Sequence, residues 1–172
     1  MDDAVVRSML KWPDVPAVYG WLCLDRRGNW RVRGESEVPA RFEFIGNPAL
    51  RAFIGRNYAA DSRGCWYFQN GPQRVFVELA YAPFVYRLEG EGFADQCGRA
   101  IAGFEAAWLD EEGSLVLKGE NGVGVLDDRD LDALADQLDA GFFAAGAKRV
   151  ALGSLESADL EQRFAFVRQP RG

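Results

Sequence analysis

Apolar and polar residues alternate most regularly between Asp61 and Leu88, and that stretch predicts a β-meander around which the rest of the chain is arranged. The turn residues Asp61-Ser62-Arg63-Gly64 open onto Trp66-Tyr67-Phe68. A second turn at Asn70-Gly71-Pro72 precedes Val75, Val77 and Leu79, which alternate with Arg74, Phe76 and Glu78. Ala82-Pro83 breaks that strand before Phe84-Val85-Tyr86 starts another. Period-two alternation bounded by Gly, Pro and Asn is the signal of strands joined in hairpins.

The same pattern, followed along the chain, predicts the remaining elements. Met1 to Lys11 reads as a loose helical turn, and Val18 to Leu24 and Trp30 to Gly34 as a hairpin. Glu35 to Arg41 reads as a polar connection and Phe42 to Ile45 as a short strand. Asn47-Pro48 starts a helix, because Asn can cap free amides and Pro suits the first helical position. Its stripe of Leu50, Phe53, Ile54 and Tyr58 carries it to about Ala59. Glu89 to Gly103 is Gly-rich and weakly patterned, as a linker would be. Phe104 to Leu109 and Ser114 to Lys118 form a further hairpin, and Val123 to Leu126 a short strand. Asp127-Asp128 caps a helix bearing Leu131, Leu134 and Leu138 and ending at Gly141. Ser157 to Gln162 reads as a short helix and Phe164 to Val167 as a final strand.

One phrase, Asp-x-x-Gly-x-(large apolar), occurs at Asp25 to Trp30, Asp61 to Trp66 and Asp110 to Leu115. Asp accepts amide hydrogen bonds inside such a turn, and Gly takes the left-handed position that closes it. The recurrence predicts an α+β fold of two related units of antiparallel hairpin or meander plus a packed helix. These are placed at residues 17–90 and 100–168, after an N-terminal extension over 1–16. Duplication competes here with chance recurrence of a common turn.

In order and spacing, Ile45 to Tyr58 with its Ile-x-x-Pro lead, Asp61 to Phe68, Pro72 to Leu79 and Ala82-Pro83-Phe84 resemble the proteobacterial domain-of-unknown-function family twelve-eighty-five. The chain departs from that family at Ala80-Tyr81, where Glu-Asp is usual, and at Gln73, where a glutamate follows the turn proline. The resemblance implies an α+β fold with internally related units, no established enzymatic activity, and a signalling or interaction role.

Composition narrows the chemistry. An apolar content of 48% with 13% aromatic residues implies a packed interior. There is no histidine, so Ser-His-Asp and Cys-His catalysis cannot be assembled from this chain. Cys23, Cys65 and Cys97 lie 42 and 32 residues apart, without C-x-x-C spacing, and read as buried thiols. No metal site and no cofactor are expected. The net charge of −6 is uneven: Glu105 to Ala140 carries −9 and the remainder +3, which argues against general nucleic-acid or membrane binding. The acidic N-terminus lacks a secretory pattern, and no apolar run reaches membrane-spanning length, so a cytoplasmic location is expected.

Two clusters are candidate binding sites. Arg26 and Arg27 occupy the first turn, and Arg31 and Arg33 share one strand face, so four guanidinium groups could meet a carboxylate, phosphate or acidic peptide. The competing expectation is that they lean on the acidic second half of the chain. Asn70, Gln73 and Arg74 form an amide–Arg cluster beside Tyr67, the usual makings of a recognition patch. The acidic run Asp127 to Asp132 is better explained as a helix N-terminus than as a calcium loop, because Ala133 stands where such a loop needs Gly. The function expected is a non-catalytic binding or signalling module for a partner protein or small anionic ligand. An enzyme using carboxylates, Tyr or Cys and an assembly protein acting through a sheet edge are the alternatives; oligomeric state is left open.

Overall fold

A computed structural model describes residues 1–34 and 41–172. The polar connection expected from Glu35, with its Pro39, falls mostly outside the described residues. Two compact units are present. The first comprises Met1–Asp25, Asn29–Ala80 and Ala165–Gly172; the second comprises Arg26–Gly28 and Tyr81–Phe164.

In the first unit, β1 (Val18–Leu24), β2 (Trp30–Arg33), β3 (Phe42–Phe44), β4 (Tyr58–Ala60), β5 (Trp66–Asn70) and β6 (Gln73–Leu79) form a six-stranded sheet in the order β3-β2-β1-β6-β5-β4. The neighbours are antiparallel except β1 and β6, which run parallel with Leu22 opposite Val77 and Cys23 opposite Glu78. α1 (Asp3–Lys11) precedes the sheet, and α2 (Pro48–Arg56) packs on one face of it, with Phe53 edge-on to Phe68 at 5.4 Å. The Asn47 side chain caps α2 by accepting from the amides of Ala49 and Leu50 at 2.9 and 3.2 Å. The helix stops at Arg56 rather than near Ala59. Asn57 is fully buried, its amide nitrogen Nδ2 donates to the Phe53 carbonyl, and Tyr58 instead pairs with Phe68 in β4. Tertiary pairing overrides the helical stripe there.

In the second unit, β7 (Phe84–Glu89), β8 (Gly92–Asp95), β9 (Ala100–Ile101), β10 (Phe104–Leu109), β11 (Leu115–Gly119), β12 (Gly122–Leu126), β13 (Phe142–Ala145) and β14 (Lys148–Ser154) form an eight-stranded sheet in the order β13-β14-β10-β11-β12-β7-β8-β9. Six of these repeat the first sheet. β9-β8-β7-β12-β11-β10 follows the order of β3-β2-β1-β6-β5-β4, again with its central pair parallel and the rest antiparallel. β14 and β13 extend the β10 side, with β14 parallel to β10. The α+β class and the related units are present. The parallel pairs, invisible to hairpin signals, make both sheets mixed rather than purely antiparallel.

The Asp–Gly phrases are the tight turns predicted, with Gly28, Gly64 and Gly113 at φ of 76, 79 and 80°. Asp61 and Asp110 each accept two backbone amides of their own turns through Oδ1. These two copies hold matching places, joining β4 to β5 and β10 to β11. A fourth copy, Asp95 to Gly98, joins β8 to β9 with the same bonds, inside the stretch expected as a linker. It escapes sequence inspection because Arg99 and Ala100 follow instead of a large apolar residue.

Other departures have local causes. The helix expected after Asp127 is broken into two 3-10 turns, Asp128–Asp130 and Asp132–Leu134, before the short α3 (Ala135–Asp139). The Asp130 carboxylate accepts from the Leu88 amide at 2.8 Å, and Asp127 accepts from the Arg129 amide, so side chains compete with helical bonding. α4 (Leu160–Phe164) ends where Ala165 takes a φ of 51°, and the expected final strand reduces to one bridge between Val167 and Cys65. No described helix is long and apolar enough to cross a membrane.

Candidate functional site

The four arginines of the first hairpin do not gather on one anion site. Arg26 donates to Glu112 at 3.2 Å and to Ser114 at 2.6 Å, and its guanidinium lies 4.4 Å from the centre of the Tyr81 ring. Arg27 makes a two-bond fork with Asp128 at 2.9 and 2.8 Å, and this holds the Asp128 carboxyl below the ordinary carboxylate range. Arg31 donates through Nε to Asp25 at 2.7 Å and through Nη1 to the Phe42 carbonyl at 3.4 Å. The turn directs Arg26 and Arg27 to the acidic residues of the second unit, the competing expectation for them.

Arg33 differs. Alternation places it on the same face of β2 as Arg31. Its Nε is buried and has no hydrogen-bond partner among the described residues. Leaving such a donor unmet costs about 1–3 kcal/mol, so it calls for an explanation. Arg33 lines a pocket of about 550 Å³ with Tyr19, Gly20, Trp21, Glu78 and the run 169–172. All of these belong to the first unit.

The pocket exists because β1 is irregular. Its register against β6 shifts between Val18 and Leu22, and Gly20 sits at a φ of 72°. Such a bulge bends a strand and re-aims its side chains, and only Gly adopts this left-handed backbone without strain. A Cβ built on Gly20 would meet only the charged ends around it, Glu78 Oε1 at 3.5 Å and Arg33 Nη2 at 3.6 Å. Trp21 is 44% exposed beside them. The segment 165–172 closes one wall. Val167 donates to the Gly64 carbonyl at 3.0 Å and Leu79 to that of Arg168 at 2.8 Å, and Gly64 approaches so closely that a Cβ there would stand 2.2 Å from the Ala165 oxygen.

The second cluster is mostly occupied by packing. Gln73 donates to the Pro16 carbonyl at 3.1 Å, and the Arg74 guanidinium covers the Tyr67 ring at 4.7 Å. Tyr67 itself is buried, edge-on to Phe76 at 5.8 Å, while Asn70 is exposed opposite Gln73. Phe76 in turn stacks on Tyr19 at 4.6 Å. One aromatic row therefore joins this cluster to the pocket wall. Of the residues named from sequence, Arg33 faces the pocket directly and Tyr67 supports it. Tyr19, Gly20, Trp21, Glu78 and the 169–172 run were missed. A glycine inside an otherwise regular strand was the available sign of a bulge; nothing in the sequence marks the returning segment.

The thiols are poor nucleophiles. Burial pushes Cys23 up to about 11, with Glu78 and Asp25 adding to the rise, and burial pushes Cys97 up to about 12. Cys65 is raised for the same reason. All three are free and held protonated at neutral pH. Among the described residues, no group of three or more Cys, Asp or Glu side chains is arranged to hold a metal ion.

Comparison with known proteins agrees with this fold and names no activity. None of the curated proteins matches. The crystal structure of a DUF1285 family protein from Silicibacter pomeroyi DSS-3 is similar over 94% of this chain and 93% of that one, with a TM-score of 0.54 and 14% identity. That is the family twelve-eighty-five whose motifs the sequence resembles, and at this identity the likeness concerns the fold alone. The chain belongs to the family described as "Protein of unknown function (DUF2946)", whose model matches residues 1–171.

Proposed function

We propose, with that membership as the premise, that the protein is a non-catalytic binding module whose first unit takes a small anionic ligand in the pocket at Arg33. The observation that supports this is the buried Arg33 Nε, without a partner among the described residues, at the wall of a cavity of about 550 Å³. Arg26, Arg27 and Arg31 each have a carboxylate. A guanidinium fork suits a carboxylate or phosphate, and the cavity falls within the size range of small-molecule sites, about 300–1,000 Å³. Trp21 adds apolar surface for the ligand's body.

The test is an NMR titration of the isotopically labelled protein with 3-phenylpropionate, a plain aromatic carboxylate. Saturable shifts are expected at Gly20, the Trp21 indole and Arg33, and Arg33→Met is expected to abolish them while moving the melting temperature little. Shifts that are absent, scattered over the surface, or unchanged in Arg33→Met defeat the proposal.

A further inference from the structure

Resting on an anion site at Arg33, we infer that the ligand is a zwitterion carrying an ammonium and a carboxylate on one carbon: an α-amino acid with an apolar side chain. Glu78 argues for this. A purely anionic ligand would leave the carboxylate in the same cavity unmet: Glu78 Oε1 and Arg33 Nη2 both lie near the Gly20 Cβ position, at 3.5 and 3.6 Å. Neither side chain forms an ion pair with a described residue, so a carboxylate and a guanidinium face one small space, with Arg171 also in its wall. Register fixes this arrangement. Glu78 opposes Cys23 across the parallel β1–β6 pair, while Arg33 comes from β2 on the other side of β1. The bulge at Gly20 opens the strand between them.

An α-amino acid presents its two charges at neighbouring points, the carboxylate to accept from the guanidinium and the ammonium to donate to Glu78. Its side chain then lies along the ring of Trp21, which is 44% exposed. The face of an aromatic ring also tolerates a nearby ammonium.

Three probes of similar shape separate this inference from the anion site it builds on: L-phenylalanine, 3-phenylpropionate, which lacks only the ammonium, and 2-phenylethylamine, which lacks only the carboxylate. Titrations followed at the Gly20 amide are expected to give phenylalanine an affinity at least about tenfold above either analogue, a ratio equal to one well-made charged contact. Glu78→Gln should bring phenylalanine and 3-phenylpropionate to within about twofold of one another without loss of fold, since it removes one side-chain charge contact. If 3-phenylpropionate binds the native protein as tightly as phenylalanine, and Arg33→Met still abolishes it, the zwitterion is overturned and the anion site stands. If no probe shifts Gly20, or Arg33→Met binds all three unchanged, both fall.

Discussion

β1 and β7 hold the same place in two sheets of the same strand order, yet one borders a charged cavity and the other a sealed aromatic core. At the second sheet's parallel junction, Gly124 of β12 leaves room for Phe84 and Tyr86; a Cβ there would meet the Tyr86 ring, the Phe84 carbonyl and the Phe84 Cβ at 2.6–2.8 Å. Phe104 and Phe143 close the cluster, edge-on to one another at 5.3 Å and each edge-on to Phe93. In the first sheet the glycine is on the other partner, at Gly20 of β1. The strand opposite offers Glu78 instead of a ring. Strand order alone therefore does not decide where a site forms. What decides it is which side of the parallel junction carries the small residue, and whether an aromatic ring or a charge faces it.

Phe104→Ala breaks the sealed side most severely. Phe104 is fully buried against three other rings, and the loss of its contacts with the cavity left behind should cost about 4 kcal/mol. Chemical denaturation measures it. Gly124→Ala comes next, at about 2–3 kcal/mol, because backbone as well as ring atoms would have to shift. Gly20→Ala sharpens the contrast. Nothing lies closer than 3.5 Å, so only the left-handed backbone penalises it, by about 1 kcal/mol. A Gly20→Ala loss equal to that of Gly124→Ala would show that the first junction is as tightly filled as the second.

The smallest effect is common to both sheets. Burial raises the Asp61 and Asp110 carboxyls, but bonds from turn amides, with Arg63 in one case and Tyr81 in the other, hold each below its ordinary value. A depressed folded-state pKa contributes stability that is complete above the unfolded pKa of about 4 and is lost as pH falls through the folded value. Melting temperature should stay level from neutrality to about pH 4 and decline below it. Asp110→Asn should flatten the decline, which thermal melts between pH 2 and 7 can follow.

The sequence made the hairpin scaffold legible because Asp and Gly at fixed offsets allow few backbone geometries. β1 spans the residues expected, and the Asn47-Pro48 helix start is as expected. Parallel pairing was hidden, since β1 and β6 are brought together by an intervening chain that no local signal describes. The β13–β14 hairpin was missed because Ala144, Ala145 and Ala147 around Gly146 leave little polarity contrast. For the site, composition singled out the arginines but could not rank them. Their ranking depends on the ion pairs the fold makes, which among the described residues include Arg26, Arg27 and Arg31 and not Arg33. Strand alternation puts Val32 on the same face as Trp30, yet Val32 is 38% exposed while Trp30 is buried.

The segment 165–172 belongs to the first unit although the whole of Tyr81–Phe164 precedes it. On the ribosome, then, the earlier-made sheet must wait for the very late residue Val167 to cover the patch of Cys65, Tyr67 and Phe76. Until that moment the nascent chain carries an uncapped apolar surface of the kind chaperones engage.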